Sequence, residues 1–412
     1  MSGQPCLAGR QRGFSIVELM VAVTIALAAS LAVFQTYAVS EERKRTTTSG
    51  SEALQAGVFA LAALERAVVN AGYNLLVVSD PGYTSPVRIV TPGTGYALSN
   101  TNPPRPEFHI GCNFTLGGTR YRMAPLAAID GGGGLASDVL TVFSGSSADV
   151  PLPVPAETGG LASGSATIRL RSTWGFAVGD WVLVYEQSAA LNVGTDRPRD
   201  CTLARVTALP SAPAISPADV VLDVPTVVTY DEPVVVNLGR NPAFERYFID
   251  AAGRLMIADL LNGTPAQPVA DNVVSLQVQL GIDVGNDDVI DEWINPPALE
   301  SALLNPENPP PQNTLTALPV PAGPRGLHQI KGVRIGLLMR SPRMERPDAS
   351  GACTASSAAS LEVLPAVTGA AASRLPEMPG SGSFGLSGDQ RCFRYSTVVS
   401  MVPVRNAILN EM

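Results

Sequence analysis

Between Phe14 and Val39 the chain reads FSIVELMVAVTIALAASLAVFQTYAV, 26 residues with a single charge at Glu18. A helix of that length rises about 39 Å, more than the roughly 30 Å of a bilayer's hydrocarbon core. The pattern predicts a transmembrane helix. Arg10 and Arg12 precede it without a neighbouring acid, which sets the N-terminus in the cytoplasm and sends the rest of the chain across the membrane. The alternative is a cleaved secretory signal, with Ala26, Ala28 and Ser30 near its peptidase site. Glu18 weighs against it, because a carboxylate at membrane depth costs about 3 kcal/mol and calls for a specific cation.

Charged residues Glu41, Glu42, Arg43, Lys44 and Arg45 mark the exit from the bilayer, and Leu54, Val58, Leu61, Leu64 and Val68 then recur at helical spacing up to Gly72. This is the amphipathic second half of one long helix with Gly72 just past its end, and two separate helices are the alternative. Gly50 and Gly57 weaken it, each by about 1 kcal/mol relative to alanine. Beyond Gly72 the apolar runs are short and bounded by Gly, Pro, Asn or Asp, which predicts strands at Asp138 to Phe143, Ala166 to Leu170, Trp181 to Tyr185, Leu203 to Ala208, Val220 to Val224, Val234 to Leu238, Arg246 to Asp250 and Arg254 to Ile257. Turn chemistry around Gly175 to Trp181 and the run Cys201 to Ala208 suggest a small antiparallel barrel or sandwich inserted after the helix. In Val273 to Asp283, Leu276, Val278 and Leu280 alternate with Gln277 and Gln279, the pattern of a sheet with one buried and one wet face. The fold class is α+β, a long N-terminal helix packed on a β-rich head with an inserted small β domain.

Composition narrows the chemistry. Of 412 residues, 45% are hydrophobic and 16% charged, enough apolar surface for two or three packed units, and 38 Gly with 35 Pro fit many turns between short strands. Acidic residues outnumber basic ones, 36 to 28, and only Lys44 and Lys331 are lysines, so the basic footprint of a nucleic-acid binder is missing. Two histidines, His109 and His328, exclude a multi-histidine metal site, and without a third titratable partner arranged near either no serine triad can be argued. Gly131 to Gly134 lacks the Lys-Ser/Thr of a phosphate loop. No catalytic residues are assigned, and the chain reads as a non-enzyme.

The segment Gly13-Phe14-Ser15-Ile16-Val17-Glu18-Leu19 resembles the prepilin leader junction of type IV pilins and type II secretion pseudopilins. The resemblance implies cleavage after Gly13 by a prepilin peptidase, N-methylation of Phe14, and Glu18 as the fifth mature residue, where it sets subunit register. Physically, glycine leaves the scissile position unhindered, and the freed amine of Phe14 in one subunit is a cation for Glu18 of another. Val273 to Asp283, Lys331 to Ser341 and Phe393 to Asn406 look like the C-terminal strand blocks of PilW-type minor pilins, and Ala63 to Tyr73 is similar to that family's helix end. Residues 1–13 are then a leader, 14–40 the membrane helix, 41–73 the helix of the head, 74–242 a β-rich middle region and 243–412 a pilin-like β region. The family implies an inner-membrane subunit with a periplasmic head that later enters a pilus at tip or base. It would join other minor pilins and the major pilin through the helix, and a tip adhesin, to prime assembly for twitching or attachment. A type II secretion minor pseudopilin, or a pilus-mounted adhesin whose middle region binds glycan or DNA, are the alternatives.

Removing the leader takes away Cys6 and leaves Cys112, Cys201, Cys353 and Cys392. Four cysteines allow three connectivities. In an oxidising compartment the expected one joins sequence neighbours, Cys112 with Cys201 and Cys353 with Cys392. The second loop would resemble the cysteine-closed C-terminal region of many pilins. No cofactor is expected. Asp283, Asn286, Asp287 and Asp291 are weak Ca²⁺ candidates, for their loop departs from the EF-hand pattern and a solvated hairpin tip is the default. Trp174, Trp181 and Trp293 read as core aromatics, and Arg391-Cys392-Phe393-Arg394-Tyr395 as edge packing rather than a nucleic-acid surface.

Overall fold

The computed structural model describes residues 15–75, 89–91, 95–97, 112–129, 131, 137–149, 153–157, 159–186, 200–211, 213, 215–283, 289–294, 296, 330–348, 350–356, 360–364, 383–385 and 388–405. The chain divides into two compact units, Met1–Glu52 and Ala53–Met412. One helix, Ile16–Asn70, runs through both, so the reading of two separate helices is excluded.

In the second unit the helix buries Ala53, Ala60, Leu61, Leu64, Val68 and Ala71, whereas Leu54 is 46% and Val58 55% exposed. The contact face therefore lies one residue ahead of the expected stripe in its first turns. Gly57 explains the shift, since a Cβ there would lie 2.7 Å from Met339 Cγ and 3.2 Å from Val398 Cγ2. A glycine that costs helix propensity lets the helix approach the sheet. Gly50, by contrast, faces open space. We expect Gly50→Ala to stabilise the helix by about 1 kcal/mol, while Gly57→Val destabilises the head by about 1–3 kcal/mol despite its better propensity. Denaturant midpoints of the two variants check this, and a Gly57→Val midpoint at or above the native one would refute the close-packing role. The helix ends where Gly72, at φ 78°, donates its N–H to Phe143 O at 2.8 Å.

That helix covers a four-stranded antiparallel sheet of spatial order Glu292–Ile294, Val273–Ile282, Ile330–Arg340 and Tyr395–Pro403. Leu276 pairs with Leu337, Val278 with Ile335 and Leu280 with Val333, while Val398 and Val402 face Leu337 and Val333 from the other side. All of these are buried in one core with the helix, and each such side chain contributes about 1.5–3 kcal/mol. The opposite face is not wet, as the alternation suggested. Gln277 and Gln279 are buried. Gly281 pairs with Gly332, and a Cβ on either would meet Ile290 Cδ1 within 2.9 Å, with Trp293 beside it; one on Gly336 would meet Leu364 at 2.8 Å. Three glycines thus let a second apolar layer close over the polar row, where Gln279 accepts a 2.8 Å hydrogen bond from Arg334, itself over the Trp293 ring.

A five-stranded antiparallel sheet, in the order Gln267–Ala270, Leu255–Asp259, Ala243–Ile249, Val139–Ser144 and Leu126–Ile129, adds Leu126, Leu140, Val142, Tyr247 and Leu255 to the same core. It draws strands from both sides of residue 242. The Asp138 carboxylate accepts the Val278 N–H at 2.7 Å and Ser137 Oγ accepts the Leu276 N–H at 2.9 Å, tying this sheet to the four-stranded one.

Between Ser144 and Ala243, which are directly paired, the chain leaves the sheet and builds the expected small β domain. Six antiparallel strands follow the order Val154–Pro155, Pro233–Gly239, Trp181–Glu186, Thr202–Ala208, Ala218–Leu222 and Thr167–Leu170. A bridge from Ala156 to Leu170, with Glu157 N–H to Arg169 O at 2.8 Å and Arg171 N–H to Pro155 O at 3.0 Å, joins the last strand to the first. The sheet is a closed barrel. Ile168, Leu170, Phe176, Val184, Val206, Val220 and Tyr230 are buried inside it. The Tyr230 hydroxyl lies 2.9 Å from Thr202 Oγ1, and burial pushes the phenol up to about 12. On the other side of the barrel wall Leu183, Tyr185, Leu203, Val236 and Leu238 pack with Phe114, Phe143 and Phe244.

Candidate assembly and processing site

Local chemistry starts the helix at the right residue. Ser15 Oγ accepts the Val17 N–H at 3.2 Å and Ser15 O accepts the Leu19 N–H at 3.0 Å, so Ser15 is the N-cap. Glu18 sits in the first turn, where a carboxylate gains about 0.3–1 kcal/mol from the helix dipole. The sequence reading missed this cap, although Ser15-Ile16-Val17-Glu18 has the spacing of a capping box. Gly13 and Phe14, the expected cleavage pair, lie outside the described residues.

From Ile16 to Tyr37 the helix has a mean hydropathy of 2.4 over 22 residues, and none of it is buried. About 33 Å of helix is enough to cross a bilayer core. Its hydroxyls are satisfied internally: Thr24 donates to Val21 O at 2.9 Å, Ser30 to Ala26 O at 2.7 Å and Thr36 to Val33 O at 2.9 Å. With those groups bonded to their own helix, Glu18 is the costly one to place in hydrocarbon, as its charge has no such internal remedy.

The cysteines pair as neighbours. Cys112 is bonded to Cys201 with Cα atoms 5.6 Å apart, and Cys353 to Cys392 with Cα atoms 4.6 Å apart. Cys201 is buried beside Phe114 and Leu203, where it joins the barrel to the hairpin Asn113–Leu116 and Thr119–Arg122. Of the calcium candidates, Asp283 is buried at the end of its strand and Asp291 returns its N–H to Ile282 O at 2.9 Å, while Asn286 and Asp287 lie outside the described residues. Among the described residues no three His, Cys, Asp or Glu side chains group as metal ligands.

Two aromatic readings separate. Trp293 is buried in the layer over Gly281, but Trp174 is 62% exposed on a barrel loop. That loop holds its neighbour Phe176 inside the barrel instead, so Trp174 was the wrong aromatic to assign to a core. Trp181 stacks under the Arg205 guanidinium at 5.0 Å. In the C-terminal arginine–aromatic run, Arg394 pairs with Glu345, Arg391 Nε donates to Ser356 O at 3.2 Å and Phe393 lies under Arg340, which fits packing beside the edge strand.

The family comparisons fall on these same parts. The Prokaryotic N-terminal methylation motif matches residues 9–34, across the N-cap and Glu18, and the Type IV Pilus-assembly protein W family matches residues 247–406, across the four-stranded sheet. In these two regions the chain is similar to type IV pilin-like proteins of the PilW type. Searches of curated proteins and of solved structures returned no match. The PilW match begins within the strand Ala243–Ile249, so the closed barrel lies outside both matched regions. A PilW-type sheet under the helix and a methylation motif at its start associate the chain with pilus components and with a prepilin-type leader.

Proposed function

We propose that this PilW-type minor pilin primes pilus assembly from the inner membrane, its head on the periplasmic side and its processed N-terminus pairing with neighbouring subunits. Supporting the reading is the union of a prepilin-type motif, an exposed apolar helix whose one charge is Glu18, and a PilW-type sheet on the same helix. In this reading prepilin peptidase cuts after Gly13, Phe14 becomes the methylated terminus, and its amine meets Glu18 of an adjacent minor or major pilin. Hydrophobic helix packing supplies most of the association, and Glu18 selects the axial register. A head of this size suits a tip or base position, where it could carry a tip adhesin, better than dense repetition along the fibre.

The test is a deletion strain complemented with the native chain or with Gly13→Leu. The native chain should restore surface pili, and Gly13→Leu should accumulate as an uncleaved membrane precursor without pili. Normal pili in the deletion strain, with loss of secreted enzymes, would reject the pilus role in favour of type II secretion. A mature N-terminus near Leu31 by mass spectrometry would reject prepilin processing.

A further inference from the structure

A cavity of about 320 Å³ opens where the two sheets of the shared core meet, lined by Ser137, the turn Asp250 to Gly253, Asn272, Val274 and Arg340. Arg340 closes the strand Ile330–Arg340, and its main chain is anchored by a 2.9 Å hydrogen bond from its N–H to Asn272 O. Asn272 holds φ at 60° in the tight turn before the next strand, which brings its carbonyl to that position. The guanidinium carbon sits 4.4 Å from the centre of the Phe393 ring, so an aromatic face holds the plane from one side. Among the described residues no carboxylate pairs with it, and Arg340 Nε is a buried donor with no hydrogen-bond partner.

The acid in the facing wall is already engaged. Asp250 Oδ1 accepts the N–H groups of Ala252 and Arg254, each at 2.9 Å, and Oδ2 accepts Arg254 Nε at 2.8 Å and Nη2 at 2.7 Å. Those bonds, Arg254's side chain first, hold the Asp250 carboxyl below the usual carboxylate range. Asp250 is thus held by its own arginine, which also has Asp271 nearby, and Arg340 is the cation of the lining with no acid paired to it among the described residues. The two Nη groups of Arg340 are not among the buried donors without a partner, and they are the ones an anion in the cavity can reach.

We propose that this cavity binds a single carboxylate through the Arg340 guanidinium. The planar fork of arginine matches the two oxygens of a carboxylate, and the one unpaired guanidinium suits one negative charge. A phosphate dianion would bring its second charge against the Asp250 carboxylate with no further cation to meet it. The carboxylate belongs either to a free small acid or to an Asp or Glu side chain of a protein segment reaching into the cavity. The volume admits both, being at the lower end of known ligand sites.

The experiment uses the full-length chain in detergent micelles and follows its thermal midpoint against acetate, N-acetyl-glutamyl amide, the matching glutamine amide and chloride at equal ionic strength. A group that binds the folded state alone raises the midpoint saturably. Acetate, N-acetyl-glutamyl amide or both should do so, whereas the glutamine amide and chloride should not. Arg340→Gln should weaken the response at least about tenfold, the loss of a charge-assisted contact. Arg340→Lys keeps the charge without the fork and should weaken it less, and it serves the comparison if the glutamine variant does not fold. A response to the glutamate amide alone assigns the ligand to a protein side chain, and a response to acetate assigns it to small acids. No saturable rise in the native chain, or a rise that survives Arg340→Gln unchanged, overturns the proposal.

Discussion

Glu18→Ala should enter the membrane at least as readily as the native chain and yet fail to support pili when it is the sole copy. The substitution removes the one charge in the span Ile16–Tyr37, which makes insertion more favourable by up to about 3 kcal/mol. It also removes an acid from the first helical turn, and that loss is at most about 1 kcal/mol in a helix of 55 residues whose Ser15 cap remains. The two effects separate the possible roles of Glu18. If it served only to favour the helix start, Ala would be tolerated, and Gln as well. If it meets the amine of a neighbouring subunit, both Ala and Gln lose the ion pair in a low-dielectric bundle, and assembly falls while membrane levels hold. Pilus counts by electron microscopy, normalised to the membrane-bound subunit, provide the measurement. Full piliation with Glu18→Ala would remove the register role.

A second large effect is expected from the double variant Cys112→Ser/Cys201→Ser. The bond spans 89 residues, and closing a loop of that length removes enough denatured-state entropy to stabilise the head by roughly 4–5 kcal/mol. Cys353→Ser/Cys392→Ser, across 39 residues, should cost slightly less, roughly 4 kcal/mol. The sites differ more than these figures. Cys201 lies in the aromatic core that joins the barrel to the hairpin at Phe114 and Tyr121, so its loss should be read first as hydrogen-exchange exposure in the barrel strands. Cys392 ends a short 3₁₀ turn just before the strand Tyr395–Pro403, and its loss should loosen that edge instead. Exchange protection unchanged in both regions would show that neither bond restrains the head.

Much of this architecture was legible because its signals are local. The apolar run before Tyr37, the Gly72 stop and the barrel strands bounded by glycine and proline each carry their information within a few residues. Small errors followed the same limit. The strand expected at Val220 to Val224 lies at Ala218–Leu222, because at Asp223 the side-chain carboxylate, in place of the backbone carbonyl, accepts the Arg205 N–H at 2.6 Å. The hairpin at Asn113–Leu116 and Thr119–Arg122 went unpredicted although Gly117-Gly118, both at positive φ, is a two-residue hairpin turn. Other misses were not local. Gln277 and Gln279 alternate as a wet face should, and only the layer brought over them by Trp293 and Leu364 makes them buried. For the same reason the Arg340 cavity has no sequence signature, since its walls come from Ser137, Asp250, Asn272 and Arg340 on four separated stretches. At the N-terminus the leader motif was readable in full, and the Ser15 cap beside it, whose spacing the sequence also carried, was missed until its hydrogen bonds were seen.

The direct pairing of Ser144 with Ala243 makes residues 145–242 a cassette hung from two neighbouring points of one ladder. Such an excursion costs roughly 3 kcal/mol of loop-closure entropy relative to a tight turn, a sum that the barrel's own filled interior can offset without help from the sheet below. Lineages are then free to enlarge, trim or exchange the cassette while Phe143 and Phe244 stay opposed beneath it. The helix and its sheet, where the two family matches lie, would remain under selection for what those regions share, and the barrel could diverge at the rate of whatever it contacts.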